Sequence, residues 1–231
     1  MEPIGAARKA YTAEKTELEQ EVLEMVSRAE SMFSRAVESL VNLDKSLAMQ
    51  AIASDDEIDR QDIDIEQRCL RMLALQQPMG SDLREIGTVL KIITDIERIG
   101  DLSVDISKIC LKIEAEMGST DYVDLHRIAT VARTMVIEGV QAFIRKDISG
   151  LQSVVTMEEV VDQLYRELRA QIHDYMRSHP EQVVAASWLL IAVHHIERVA
   201  DHALNIAERV NFMVTGELRQ LVRDQEDDEP T

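Results

Sequence analysis

The sequence predicts an all-α fold of two tandem three-helix bundles related by internal duplication. Only 3% of the residues are aromatic, and the 231-residue chain has 8 glycines and 4 prolines, a composition that favours helices over strands. Apolar residues recur at spacings of three and four over long segments, as on one face of an amphipathic helix. A short acidic signature also occurs twice, at residues 95–101 and 195–201. The prediction is six helices, three in each repeat.

The first repeat contains three predicted helices. The first covers residues 14–42, where the apolar spacing is regular. Asp44 then offers an N-cap oxygen to a second helix over residues 45–76. A Pro-Met-Gly-Ser break follows, and Ser81 is the predicted cap of a third helix that reaches residue 116.

The second repeat is predicted to mirror the first. Its helices cover residues 122–145, a segment from after Asp147 to near Ser178, and residues 180–215. Proline opens the last of these helices and Gly216 ends it.

A Gly-Ser-Thr-Asp break near the middle of the chain marks the predicted boundary between the repeats. The predicted domains are a first bundle over residues 1–118, a second bundle over 119–216 and an acidic tail over 217–231. The tail has little apolar surface to bury, so we expect it to be disordered.

The charge of the chain bears on its partners. The formal net charge is −18, which disfavours direct binding to nucleic acid or to an anionic membrane. The N-terminal residues lack the apolar core of a signal peptide, and no stretch looks like a membrane span of about 20 apolar residues. Cys69 and Cys110 have no metal-site spacing and are expected to be buried, reduced thiols. A soluble, cytoplasmic protein is predicted.

The signature places carboxylates in a helical register. Residues four and eight apart lie toward one face of a helix, so Glu97, Asp101 and Asp105 form an acidic stripe on the third helix. Asp55 and Asp59 form a pair on the second helix, which runs antiparallel to the third because their connection is short.

The second repeat carries the same arrangement. Its stripe is Glu197, Asp201 and Asn205, and the facing pair is Glu158 and Asp162. Each bundle is therefore expected to bring at least four carboxylates together. Like charges repel, and hard cations such as Mg²⁺, Mn²⁺ or iron would neutralise them, or Zn²⁺ if nitrogen or water completes its coordination. The alternative is that these acids form solvated helix faces with Arg98 and Arg198 as counterions.

Histidine adds a possible nitrogen donor. His194 precedes Glu197 by three residues on the same face and is a candidate additional ligand. The acidic stripes contain no Glu-x-x-His pair of the ferritin-like type, so chemistry at a buried di-iron centre is not supported. A histidine phosphotransfer module is also disfavoured, because no phosphorelay-like surround is evident.

The sequence resembles the PhoU family of phosphate-uptake regulators. The matching stretches are residues 69–78, which end in Gln-Gln-Pro, then 82–84, 95–101 and 195–208. The resemblance extends over about residues 18–214 and is carried by the doubled signature together with the Gln-Gln-Pro segment.

The resemblance implies multinuclear metal clusters held by E(D)xxxD motifs. In this sequence the motifs are Asp55/Asp59, Glu97/Asp101, Glu158/Asp162 and Glu197/Asp201. The expected ions are iron first, with zinc, manganese or magnesium as alternatives. The repeats differ at Asp105/Asn205 and at Thr94/His194, so the two sites need not bind the same ions equally well.

The resemblance also implies a non-enzymatic cytoplasmic regulator. Such a protein restrains the phosphate-starvation response by coupling a phosphate ABC transporter ATPase to a sensor histidine kinase, is expected to be a homodimer, and meets the membrane through its partners only. Two alternatives stay open from the residues alone. One is a metal-dependent phosphoester hydrolase, since metal ions can activate water, and the other is a metal-free helical dimerisation module.

Overall fold

The computed structural model describes residues 4–113, 120 and 123–221. Over these residues the chain forms seven α-helices, one short 3-10 helix at Pro180–Gln182, and no strand. The α-helices are α1 (Ile4–Asn42), α2 (Lys45–Ile52), α3 (Asp55–Gln76), α4 (Ser81–Ile113), α5 (Leu125–Arg145), α6 (Leu151–Ser178) and α7 (Val183–Thr215). The predicted all-α class is confirmed.

The predicted second helix is wrong in one respect, because it is divided into α2 and α3. Ala53 and Ser54 form a turn, in which the Ser54 hydroxyl donates to the Gln50 carbonyl at 3.0 Å. A serine side chain that bonds to the preceding turn competes with helix propagation. Three acids at the start of α3, Asp55, Asp56 and Glu57, then favour a new helix N-terminus through the helix dipole.

Several predicted helix ends are confirmed. Asp44 caps α2, since its carboxylate accepts from the backbone N–H groups of Ser46 and Leu47. Gly216 ends α7 with a φ of 80°, a left-handed conformation that glycine adopts at little cost.

Other boundaries differ from the predictions. α1 begins at Ile4 rather than at residue 14, α4 begins at Ser81 itself, and Pro180 opens a 3-10 turn before α7. The predicted ends at residues 116 and 122, the break between the repeats apart from Thr120, and the tail beyond residue 221 lie outside the described residues.

The helices pack as two bundles that share a central seam. The first consists of α1, α2, α3 and α4, and the second of α5, α6 and α7. α4 packs extensively on α7, and α1 also contacts α5. The α4–α7 pair is antiparallel, because Arg84 Nε donates to Met213 O at 3.2 Å at one end while Lys112 Nζ lies 3.7 Å from the Trp188 ring centroid at the other.

α7 is the apolar centre of the second bundle. The segment Pro180–Thr215 is long and apolar enough to cross a membrane, so the expectation that no segment approaches such a span is wrong by length and composition alone. In the structure α7 is packed by α4, α5 and α6, and residues such as Leu189, Val193 and Ile196 are fully buried. A core helix that is packed by neighbours on most sides is apolar nearly all round, because its surroundings are apolar, as they are for a membrane helix.

The two cysteines lie in the core. Cys69 and Cys110 are both buried, as predicted. The thiol of Cys110 donates to the Ser39 carbonyl at 3.1 Å and so helps to hold α4 against α1.

Candidate metal centres

The structure brings the acidic helix faces together in the first bundle. α3 packs against α4, and at Gly100 the two helices approach so closely that an added Cβ would lie 3.3 Å from Ile58 Cδ1 and 3.7 Å from Asp55 Oδ1. A glycine within the signature therefore lets the start of α3 sit against α4. We call Asp55, Asp59, Glu97 and Asp101 the first carboxylate site.

The carboxylates of the first site perturb one another. Burial and the charges of Asp59 and Asp101 raise the pKa of Asp55, opposed by Lys108. Burial and the charge of Asp101 likewise raise the pKa of Glu97. Both shifts mean that the folded protein holds these groups at an energetic cost when they are ionised.

Arg98 is the cation nearest to the first site. Its Nη1 lies 2.6 Å from Asp101 Oδ2, and its Nε lies 3.4 Å from Glu97 Oε2. The guanidinium is 56% exposed, so solvent screens these pairs and they offset only part of the repulsion.

The second bundle repeats the arrangement between α6 and α7. We call Glu158, Asp162, Glu197 and Asp201 the second carboxylate site. Burial, followed by the charges of Asp162 and Asp201, raises the pKa of Glu158 to about 7. Burial also raises the pKa of Glu197, with Asp201 adding to the shift and His194 opposing it. This site therefore concentrates negative charge at least as strongly as the first.

The two remaining predicted ligands lie toward the seam between the bundles. Asn205 Nδ2 donates to Asp95 Oδ1 at 3.3 Å, and His202 Nδ1 lies 2.9 Å from the same oxygen. Asp105 lies 3.5 Å from Lys108 Nζ, and its charge opposes the lowering of the His195 pKa by burial. The structure thus associates Asp105 and Asn205 with contacts across α4–α7, while their role as ligands stays a prediction.

Three further side chains belong to the surroundings of the carboxylate sites. The charge of Asp62 contributes to the raised pKa of Glu97, and Lys108 acts on Asp55. In the second bundle the Tyr165 ring lies 5.9 Å from the His194 ring. Asp62 follows Asp55 by seven residues and Asp59 by three, a helical spacing that could have identified it from the sequence.

The donor types at both sites suit hard cations. Carboxylate oxygens from two helices are the ligands that Mg²⁺, Mn²⁺ and iron take, and a bound cation would remove the repulsion that raises these pKa values. Among the described residues, no three His, Cys, Asp or Glu side chains converge closely enough to hold one ion between them. Only the donor chemistry and the charge therefore suit a metal, and the role of Asp55, Asp59, Glu97, Asp101 and their second-bundle counterparts as ligands stays a prediction.

Fold and site together define a class of protein, namely duplicated helical bundles with one carboxylate site in each half. The sequence profile of the PhoU domain matches this chain twice, at residues 22–110 and 125–210. The chain belongs to the PhoU family.

Individual relatives agree with this assignment. A phosphate-specific transport system accessory protein PhoU homolog from Aquifex aeolicus is 33% identical over 202 residues, which cover 87% of this chain and 91% of that protein. The homolog from Pseudomonas aeruginosa is 32% identical over 207 residues, or 89% of this chain and 86% of that protein.

Solved structures share the whole architecture. The crystal structure of PhoU from Pseudomonas aeruginosa superimposes with a TM-score of 0.85 at 32% identity, over 90% of this chain and 100% of that chain. The phosphate transport system regulatory protein PhoU from Streptococcus pneumoniae gives a TM-score of 0.84 at 31% identity, over 91% and 100% of the two chains.

Proposed function

We propose that this chain is a non-enzymatic, cytoplasmic regulator of phosphate uptake that acts by docking to partner proteins. Its partners would be the ATPase of a phosphate ABC transporter and a sensor histidine kinase, whose coupling restrains the phosphate-starvation response. The observation that carries the proposal is the PhoU-domain match in both halves, together with relatives named as accessory proteins of the phosphate-specific transport system.

The proposal includes multinuclear metal ions at the two carboxylate sites, with iron as the first expectation and zinc, manganese or magnesium as alternatives. Partly buried carboxylates on matching helices of both bundles, with pKa values raised by burial and by one another's charges, support it. When bound, such ions would be held by Asp55, Asp59, Glu97 and Asp101 and by their second-bundle counterparts, and would offset the repulsion among these carboxylates. Elemental analysis of purified protein tests metal binding, with Glu97→Gln/Asp101→Asn and Glu197→Gln/Asp201→Asn expected each to remove about half of the metal.

An exposed apolar end supports docking. Leu75 in the last turn of α3, Met79 in the connection and Leu83 in the first turn of α4 are 73%, 84% and 48% exposed. Apolar side chains grouped at one end of a bundle are a common feature of protein interaction sites. Arg71, on the exposed side of α3, adds a positive charge one turn before Leu75.

A pull-down with the transporter ATPase and with the kinase tests the docking. Met79→Asp places a charge where an apolar contact is expected and should reduce capture of at least one partner about tenfold, which corresponds to ~1.4 kcal/mol. Val184→Asp is the control, because Val184 is a 62% exposed apolar residue near the start of α7, the helix that corresponds to α4 in the second bundle. Equal capture of wild type and Met79→Asp would refute the placement, and no capture of either partner at high or low phosphate would refute the docking role.

The non-enzymatic part of the proposal is tested separately. Turnover of phosphate monoesters and diesters by metal-loaded protein should not exceed that of the Glu197→Gln/Asp201→Asn variant. A rate that depends on these carboxylates would identify a hydrolase instead. The proposed homodimer is tested by light scattering of the purified chain, which should give twice the mass of 26.2 kDa.

A further inference from the structure

The chain reverses direction after α7 and returns along that helix. Gly216, with a φ of 80°, turns the backbone, and five residues later the N–H of Leu221 donates to Glu208 Oε1 at 3.0 Å. An extended chain rises about 3.3 Å per residue and a helix about 1.5 Å, so this segment is long enough to return the roughly 12 Å between positions 216 and 208. We call residues 216–221 the C-terminal strap.

The second bundle holds the far end of the strap. The Leu221 side chain is partly buried and packs against the core, and its backbone N–H donates to a carboxylate, a stronger acceptor than a neutral oxygen. Burial raises the pKa of Glu208, and the hydrogen bond from Leu221 opposes that rise. The strap therefore offsets part of the cost of keeping this carboxylate ionised.

A residue of the first bundle holds the near end of the strap. Arg84, in the first turn of α4, donates from Nε to Met213 O at 3.2 Å. Its guanidinium lies against the turn, since a Cβ added at Gly216 would be 3.7 Å from Arg84 Cζ. A cation is also favoured at this position by the dipole of α7, which ends here. The turn that starts the strap is therefore fixed by the packing of α4 against α7.

Little else keeps the strap in place. Residues 214–220 are exposed, and Arg219 pairs with Glu217 within the strap itself, where both side chains are 61% exposed. Segments with little buried surface open at a low free energy while packed helices stay folded. Opening of the strap would expose Leu221 and deprive the Glu208 carboxylate of its backbone donor.

We propose that the C-terminal strap opens and closes without unfolding of the bundles, and that Arg84 and Glu208 together hold it closed. Arg84 belongs to the first bundle and Glu208 to the second, so closure depends on how α4 packs against α7. A shift between the bundles that withdraws Arg84 frees the segment after α7 and exposes Leu221. The strap is thus a conformational device that links the relative position of the two halves to the state of the C-terminal segment, and it needs neither a bound metal nor a partner.

Amide hydrogen exchange of the full-length protein, followed by NMR at single residues, measures the opening. In wild type the Leu221 amide should exchange more slowly than in a synthetic peptide of residues 214–223, but faster than the amide of the buried α7 residue Ile196. Glu208→Ala removes the acceptor and should accelerate exchange at Leu221 about tenfold. Glu208→Gln keeps an uncharged acceptor oxygen and should give an intermediate rate.

Arg84 variants test the link to the first bundle. Arg84→Ala should also accelerate exchange at Leu221 severalfold, although Arg84 holds the opposite end of the strap. Arg71→Ala, which removes an exposed arginine of α3, is the matched control and should leave the rate unchanged. Because both side chains fasten one strap, the variant that combines Arg84→Ala with Glu208→Ala should exchange more slowly than the product of the two single accelerations predicts.

The contrary results are distinct. Exchange at Leu221 in wild type as fast as in the free peptide would overturn the closed strap, and exchange as slow as at Ile196 would overturn its independent opening. Unchanged exchange in Glu208→Ala or in Arg84→Ala would overturn the role of that side chain. Equal acceleration throughout α7 would show that the substitutions loosen the bundle rather than the strap, and accelerations that simply multiply would overturn the joint action.

Discussion

Among the carboxylates of the second site, Glu158 shows the effect of its acidic neighbours most clearly, through its raised pKa. It lies on α6 and is partly buried, with Asp162, Asp201 and Glu197 as acidic neighbours. Its pKa of about 7 lies above its ordinary value of 4.5, so the folded protein binds this proton more tightly than the unfolded chain. By linkage, the stability that protonated Glu158 supplies is complete below pH 4.5 and is lost as the pH rises through about 7.

Glu158→Gln should therefore stabilise the metal-free protein at pH 8 and have little effect near pH 4.5. After allowance for solvent screening we expect about 1 kcal/mol, or ~2–4 °C in Tm for a chain of this size. Melting curves of chelator-treated protein at the two pH values measure it. The exposed neighbour Glu159→Gln should show a smaller change, and parallel pH profiles for wild type and Glu158→Gln would contradict the account.

Residue spacing predicted most of the carboxylates that lie near one another, while their role as metal ligands stays a prediction. A helix turns 100° per residue, so a side chain four positions on is displaced by about 40°, and one eight positions on by about 80°. Asp101 therefore stays beside Glu97, whereas Asp105 and Asn205 rotate toward the seam with the other bundle. Asp62 follows Asp55 by seven residues and is displaced by only about 20°, which is why its charge acts on Glu97 although the acidic motif does not include it.

At the scale of elements, the turn between α2 and α3 decides where the first site begins. α2 is only eight residues long, and the turn at Ala53 and Ser54 makes Asp55 the first residue of a new helix. The Asp44 cap could be predicted from the sequence, because a side-chain oxygen just before an apolar run accepts from backbone N–H groups two or three residues further on. The break was not predicted, because alanine and serine also occur inside helices and the bond from the Ser54 hydroxyl back to Gln50 O cannot be read from the sequence.

Asp44→Ala should destabilise the protein by about 1 kcal/mol through the loss of the α2 cap. The carboxylate accepts from the N–H groups of Ser46 at 2.8 Å and Leu47 at 3.0 Å, and alanine cannot replace either bond. Urea unfolding measures the change. Asp44→Asn retains an acceptor oxygen and should lie within about 0.5 kcal/mol of wild type, whereas equal losses in both variants would show that the charge, not the cap, matters.

For the whole molecule, a buried charge cluster ties the two bundles together beside the apolar α4–α7 seam. Glu85 of α4 is 7% exposed and pairs with Lys15 of α1 at 2.7 Å and with Lys146, just after α5, at 2.8 Å. Burial alone would lower the pKa of Lys15, but hydrogen bonds to Asp82 and Glu85 raise it above its ordinary value. One carboxylate therefore holds lysines from both halves of the chain.

Glu85→Ala should cost about 2 kcal/mol or more, because it leaves two partly buried lysines without their shared partner. The effect is measured by urea unfolding at neutral pH. Glu57→Ala is the control, since Glu57 pairs with Arg28 at an exposed position and its loss should cost at most about 1 kcal/mol. Similar costs for the two variants would mean that the cluster does not contribute to joining the bundles.

Duplication was predictable for the whole molecule, because the signature recurs about a hundred residues apart with its helices in the same order. The antiparallel pairing of α4 with α7 could not be predicted, because two apolar helix faces can pack against each other in several orientations. That pairing aligns the two signatures side by side, with one carboxylate site formed with α3 and the other with α6. The central claim is that both sites hold metal ions.

Anomalous X-ray scattering from crystals of the purified protein, collected at the iron, zinc and manganese absorption edges, tests that claim most directly. We expect peaks between α3 and α4 beside Glu97 and Asp101, and between α6 and α7 beside Glu197 and Asp201. Peaks confined to other positions, or none after soaking with each ion, would contradict it.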